Sequence, residues 1–169
     1  MTTKENIRDY LLDLENDDIE VRNIARRQLT SIGKEAVPDL IHQLKTDRER
    51  CRWEAAKILG DIRDEAAADD LVEALLDDSI SVHWVATEAL IKYGRSAILP
   101  ILEGLIRHFD SMRFRQGAYH ILHVLERFHQ LDPKVQEVLD ALRDIEPSVS
   151  APWAAERAIE HMKFGRENP

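Results

Sequence analysis

The side chains best suited to chemistry in this 169-residue chain are two histidines one helical turn apart, His120 and His123. Two imidazoles at this spacing can bind one metal ion, and Glu88 occupies the position matching His120 one repeat unit earlier. Three candidate ligands form an incomplete site, because a closed zinc site has four. The sequence therefore predicts no metal site. In the plainer interpretation, His120 hydrogen-bonds Glu88 on an exposed wall and His123 lies beside the core.

No residues are arranged in the manner typical of nucleophilic catalysis or cofactor binding. A nucleophilic enzyme needs a serine or cysteine beside a histidine and an orienting acid, and no such set is visible. The single cysteine, Cys51, occupies a position that is apolar in other repeat units, which favours a small buried side chain. The six glycines are scattered rather than grouped in a phosphate-binding loop. We therefore expect no catalytic residue and no cofactor.

The elements that must position these side chains belong to a sequence repeat with a step of about thirty residues. Its pattern, Val-Arg-x-x-Ala-x-x-x-Leu-x-x-Ile, begins at Val21. Later copies begin at Cys51, Val82, Phe114 and, in a more altered form, Ala151. A second apolar pattern lies between successive copies, and both have the spacing of one helix face. Each unit is therefore predicted to be a pair of helices.

The repeat predicts an all-α solenoid of five antiparallel helix pairs, because one pair cannot bury both apolar faces alone. The predicted helices are 5–14 with 18–32, 35–45 with 48–62, 65–76 with 79–93, 96–108 with 111–128, and 133–145 with 149–163. We expect one domain, 1–163, followed by a polar tail, 164–169. The predicted repeat units are 4–33, 34–63, 64–94, 95–129 and 130–163. A longer turn near residues 128–133 predicts a local break before a capping pair.

The paired pattern, with Val-Arg-x-x-Ala in one helix and Ala-Val-Pro-x-Leu in the other, resembles the short HEAT-like repeats of phycobilisome lyases. The resemblance covers about 160 residues and implies an armadillo-type or HEAT-type superhelix. Some members of that family attach bilin pigments to antenna proteins, and many others are adaptors without chemistry. The arginine that the family repeats stands at Arg22, Arg52 and Arg115, where we interpret it as structural, and His83 and Pro152 replace it.

The resemblance also implies that the helix carrying Val-Arg lines the concave wall, with the residue after the arginine exposed. That position holds Asn23, Trp53, Trp84, Gln116 and Trp153. Adding four residues moves one turn along the same face and gives Arg27, Lys57, Glu88, His120 and Arg157. Tryptophan and arginine often dominate binding energy at protein interfaces. These ten residues are therefore the predicted partner-binding wall.

Charge and hydropathy restrict the classes of partner. The formal net charge is −9, with 32 acidic and 23 basic residues, which argues against a general nucleic-acid binder. No stretch approaches the roughly 20 apolar residues that span a bilayer, so the sequence predicts neither a signal peptide nor a membrane segment. We expect a cytoplasmic location.

These observations predict a non-enzymatic scaffold or adaptor that binds a protein or peptide on the concave wall, with self-association as a further possibility. One alternative is a bilin lyase or related pigment-handling enzyme, which the repeat type alone suggests. A third, a HEAT-like DNA glycosylase, requires a strongly basic groove and fits the acidic composition worst.

Overall fold

The computed structural model describes residues 3–164, which contain ten α-helices and no strand. The helices are α1 Thr3–Asp13, α2 Ile19–Ile32, α3 Val37–Gln43, α4 Glu49–Ile62, α5 Ala68–Glu73, α6 Ile80–Tyr93, α7 Ile98–Arg107, α8 Met112–Arg127, α9 Pro133–Ala141 and α10 Pro147–Phe164. They form five antiparallel pairs, so the predicted all-α solenoid is confirmed.

The boundaries of the second helices follow local capping chemistry. Asp18, Ser79 and Ser111 accept hydrogen bonds from backbone amides at the starts of α2, α6 and α8, which satisfies donors that have no partner within the helix. Gly33 and Gly94 follow α2 and α6 with φ of 70° and 60°. Because glycine adopts positive φ without steric cost, both positions end a helix as their residue type predicts.

The first helices of the second to fifth pairs are shorter than the sequence predicts. Helix α3 follows a 3-10 segment, Gly33–Ala36, and α5 lies between two such segments, Glu65–Ala67 and Ala74–Leu76. The tighter 3-10 winding is common at helix ends. Helix α10 begins earlier than predicted, at Pro147, since proline suits the first turn of a helix.

In the first four pairs, second helices pack against second helices and first helices against first helices. Helices α2, α4, α6 and α8 form one row, and α3, α5 and α7 form the other. The core lies between the rows. The repeated alanine and leucine of the second helices are fully buried there, at Ala25, Leu29, Ala55, Leu59, Ala86, Leu90, Ala118 and Leu122.

The fifth pair departs from this order. Helix α10 packs against α7 and α9, and α9 packs along α8. Gln136, near the start of α9, donates a hydrogen bond to Glu126, near the end of α8, over 2.8 Å. Arg143, just after α9, lies over the ring of Tyr119 in the middle of α8, so these helices are antiparallel. The row of second helices therefore continues from α8 into α9 rather than into α10.

Three further sequence predictions concern membrane segments, the polar tail and the boundaries of the repeat units. No helix within residues 3–164 has both the length and the apolar character that crossing a bilayer requires. Of the predicted polar tail, 164–169, Phe164 is the last residue of α10 and residues 165–169 lie outside the described residues. The division into five repeat units with the predicted boundaries remains a prediction.

Candidate functional site

Six of the ten predicted wall residues lie on three neighbouring helices, α4, α6 and α8. We call the surface that they form the tryptophan face. Its members are Trp53, Lys57, Trp84, Glu88, Gln116 and His120. The repeat brings them together because equivalent positions on stacked helices point in one direction.

Trp84 is the aromatic centre of the tryptophan face. Its side chain is 45% exposed. The His120 ring meets it edge to face, with 5.5 Å between centroids and 87° between planes. His83 contacts it at 5.3 Å and 79°. Edge-to-face pairs of this kind are favourable. His120 is therefore a neighbour of Trp84, whereas the sequence led us to expect a hydrogen bond to Glu88.

Trp53 is less exposed than Trp84 and packs partly against the core. Two cations flank its ring: Lys57 Nζ lies 5.5 Å from the centroid, and the Arg26 guanidinium carbon lies 5.8 Å from it. Cations at this distance are attracted by the electron-rich ring face. The partly exposed Trp53 ring and its two flanking cations therefore lie together at this end of the tryptophan face.

Arg26, which flanks the Trp53 ring, also forms a largely buried ion pair with Glu54 between α2 and α4. Arg26 Nε and Nη2 donate to the Glu54 carboxylate over 2.7 and 2.9 Å, and Asn23 accepts a further bond from Arg26 over 2.9 Å. The hydrogen bond to Glu54 raises the pKa of Arg26 and outweighs the opposing effect of burial. This pair was not predicted from the sequence. The sequence feature that could have indicated it is Glu54 itself. At the equivalent position, the other units carry uncharged residues, namely Ile24, Val85, Gly117 and Ala154.

Charged residues border the tryptophan face. Glu88 is exposed and lines a small crevice with Lys57 and Lys92. Arg27, at the end of the row nearest α2, is exposed and lines a hollow of about 430 Å³ with Asp61. Lys92 donates to Asp61 over 2.6 Å. The border thus carries cations beside two exposed carboxylates, those of Glu88 and Asp61.

His123 does not join His120 in a metal site. Its ring stacks on Tyr119, with 5.7 Å between centroids and 4° between planes, and its Nδ1 lies 3.3 Å from Glu126. Within the described part of the chain, no group of three or more His, Cys, Asp or Glu side chains is placed to hold a metal ion.

Trp153 and Arg157 are not brought to the tryptophan face. Both lie on α10, which packs against α7 and α9. Trp153 is 64% exposed, and Arg157 lies 3.7 Å from Glu137 of α9. Their shared repeat position therefore does not place them beside Trp84.

The repeated arginine joins each second helix to the turn before it. Arg22 and Arg52 donate to two backbone carbonyls of the preceding turn, and Arg115 donates to one, that of Phe109. His83, which replaces the arginine, is buried, and its Nδ1 donates to the Leu75 carbonyl over 2.8 Å. In all four units the side chain at this position ties its helix to the preceding segment.

Comparisons with known proteins agree with this architecture. The sequence profile of the HEAT repeats family matches residues 8–91. No curated protein matches the chain. Its fold is similar to that of a chain in the solved complex of CpcE and CpcF of phycocyanin lyase from Nostoc sp. PCC7120, with a TM-score of 0.60 and 20% sequence identity. The likeness covers 92% of this chain and 99% of that chain.

This likeness corrects the predicted function. The sequence analysis predicted a non-enzymatic scaffold because it found no catalytic motif, but the solved chain that shares almost the whole fold belongs to a lyase. A substrate site built from several helices, or shared between two chains, leaves no compact motif in either sequence. The prediction of a non-enzymatic chain was therefore wrong, and the likeness favours the bilin lyase-like alternative. Residues 8–91 are therefore similar to HEAT repeats, and the described chain has the helical-repeat fold of that solved chain.

Proposed function

We propose that this protein is a bilin-handling chain of the lyase type, which holds a bilin pigment while it is attached to an acceptor protein. The observation that carries the proposal is the shared fold, which extends over 92% of this chain and 99% of the chain from the phycocyanin lyase complex. Because that solved structure is a complex of two chains, we further propose that this protein works with a protein partner.

The chemistry of attachment limits what this chain must supply. Addition of a thiol across a carbon–carbon double bond of the pigment forms one C–S bond, breaks one π bond and moves the thiol proton to carbon. The only cysteine of this chain, Cys51, is 4% exposed. The attacking thiol is therefore the acceptor's, and the role of this chain is to hold and orient the pigment.

The tryptophan face fits a flat conjugated pigment that bears carboxylates. Trp84 and the His120 ring offer an aromatic contact surface, and Lys57 and Arg27 supply positive charge at its border. Glu88 and His120 are exposed groups able to carry a proton. We propose these five residues as the pigment contacts.

The partner and the location are also proposals. Self-association is the alternative to a second type of helical-repeat chain. We propose a cytoplasmic location, because the single buried cysteine forms no disulfide and a reducing compartment suits such a chain.

The test uses absorbance of phycocyanobilin titrated with the purified protein, alone and with an acceptor apoprotein. With the protein alone, we expect a saturable shift of the pigment's absorbance maximum to longer wavelength. Contacts with aromatic rings and pairing with positive charges should hold the pigment in an extended conformation and polarise its conjugated system. Trp84→Ala combined with His120→Ala is expected to weaken binding about tenfold or more. Trp153→Ala is the matched control, since it removes the same side chain from α10.

Two results would contradict the proposal. An unchanged pigment spectrum at all protein concentrations would exclude pigment handling by this chain. Equal losses in the double variant and in Trp153→Ala would exclude the tryptophan face as the site, even if the pigment binds elsewhere.

A further inference from the structure

A second hollow lies beside the start of α8 and the connection from α9 to α10, and it borders the tryptophan face at Gln116. It has a volume of about 460 Å³, within the range of small-molecule sites. Its lining is mainly apolar and includes Met112, Tyr119, Leu142 and Pro147. Met112 is 67% exposed, so the hollow is open to ligands.

The repeated arginine of the second unit shows how this repeat binds a carboxylate. One edge of the Arg52 guanidinium caps the preceding turn through Nη1. The other edge, Nε and Nη2, donates to both carboxylate oxygens of Asp77 over 2.7 and 3.0 Å. This parallel geometry is the strongest arrangement between arginine and a carboxylate.

Arg115 is the equivalent arginine of the fourth unit, and it lines the hollow. Its Nη1 caps the preceding turn at Phe109, as the Nη1 of Arg52 does for its own turn. Among the side chains that the structure describes, no carboxylate lies within ion-pair distance of Arg115. Among these side chains, Arg115 has no counterpart of Asp77, the carboxylate partner of Arg52, because the fifth pair packs in a different order.

The other arginine of the hollow is already engaged. Arg143 lies 3.2 Å from Asp140 and 3.4 Å from Glu126, and its guanidinium lies over the Tyr119 ring at 5.6 Å. Its charge is therefore largely balanced within the protein. Arg115 is therefore the cation of the hollow whose Nε and Nη2 are available as hydrogen-bond donors.

We infer that this hollow, the Arg115 pocket, binds a small apolar carboxylic acid. The ligand's carboxylate would pair with Nε and Nη2 of Arg115, as Asp77 does with Arg52, and its apolar part would lie along Met112, Tyr119 and Leu142. The inference does not rest on the proposed pigment-handling role. The pocket borders the tryptophan face at Gln116, but Arg115, Met112 and Tyr119 are not among the five proposed pigment contacts.

The experiment compares three probes with the same eight-carbon chain: octanoate, 1-octanol and octylammonium. Binding to the full chain is followed by NMR of methionine methyl groups labelled with carbon-13. Met112 lines the Arg115 pocket, and Met162 lines a separate hollow beside Ile98. We expect octanoate to shift the Met112 signal saturably and to bind about tenfold more tightly than octanol. Octylammonium is expected to bind more weakly than octanol, and Met162 should not respond.

Variants separate the arginine's role in binding from its role in the fold. Arg115→Gln should lower the octanoate affinity to that of octanol. Arg115→Lys keeps the charge but not the two parallel donors, so its octanoate affinity should lie between those of Arg115→Gln and the wild type. Arg127→Gln, at the exposed end of the same helix, is the matched control and should leave the affinity unchanged.

The inference would be overturned by equal affinities for octanoate and octanol, or by a Met162 response with the same concentration dependence as that of Met112. An Arg115→Lys variant that is folded, as judged by its circular dichroism, and binds octanoate no better than octanol would also count against charge recognition at this position.

Discussion

The first four helix pairs and the fifth carry the same sequence repeat, yet they assemble differently. In the first four, the second helices α2, α4, α6 and α8 lie side by side, whereas α10 lies against α7 and α9. Local burial is nevertheless equivalent, because Ala155 of α10 is as completely buried as Ala25 of α2. A repeated position therefore specifies which side of a helix is buried, and not which helix covers it.

The connections between units account for the difference. After α2 and α6, a glycine with positive φ leads directly into a 3-10 segment, Gly33–Ala36 or Gly94–Ala97, so the next helix begins at once. After α8 the chain takes an irregular path of five residues, 128–132, in which His129 has a φ of 54°. This longer connection allows α9 to fold back along α8.

The largest expected effect concerns the close approach of α4 and α6. A Cβ added at Gly60 would lie 2.7 Å from Ala89 Cβ and 2.8 Å from Ala89 Cα. Gly60→Ala should therefore lower the free energy of unfolding by about 2 to 3 kcal/mol, although the same change in an unobstructed helix stabilises. Urea denaturation measures it.

The fifth pair provides the contrast for this substitution. Ala158 of α10 is fully buried, and Ala158→Gly should cost about 1 to 2 kcal/mol, through backbone entropy and the loss of one buried methyl group. If Gly60→Ala were as stable as the wild type, the α4 and α6 backbones could not be as close as the structure has them.

The next effect concerns ion pairs in the two regions. Glu54 is almost fully buried, with 3% of its side chain exposed, and Glu54→Gln leaves the Arg26 charge without its counter-ion. We expect a loss of about 2 kcal/mol in the free energy of unfolding. Glu137→Gln removes the exposed partner of Arg157 in the fifth pair and should give no measurable change. Equal losses in the two variants would show that burial does not distinguish these pairs.

The smallest effect is the pH dependence of the contact between α8 and α9. Burial alone would raise the pKa of Glu126, but hydrogen bonds from Gln136, His123 and Arg143 outweigh it and lower the pKa. Because the folded pKa lies below the unfolded value, the stabilisation is present above about pH 4.5. It is lost as the pH falls through the folded pKa.

Hydrogen exchange can locate this acid-sensitive contact. The protection factors of α9 amides, relative to those of α4, should decrease between pH 6 and pH 3. In Glu126→Gln this relative decrease should be smaller. The same pH dependence in both proteins would exclude Glu126 as a group that links acid to the α8–α9 contact.

The fold was predictable because its information is local. The positions of Ala55, Leu59, Ala86 and Leu90 in the pattern indicate one apolar face on each helix, and all four are fully buried. The Arg26–Glu54 pair was not predicted, since it joins residues 28 apart in the chain through a contact between two helices. The enzymatic alternative was underweighted for a related reason: a surface assembled from several helices leaves no short motif.

The sequence by itself determined the helices, their buried faces and the repeat positions from which a binding wall could be proposed. Only the tertiary structure decided which of those positions meet. It brings His120 to the Trp84 ring, leaves Trp153 on α10 away from them, and opens a pocket beside Arg115. The physical reason is that periodicity records the exposure of each helix face, whereas neighbours depend on the geometry of the connections and on the packing of whole helices.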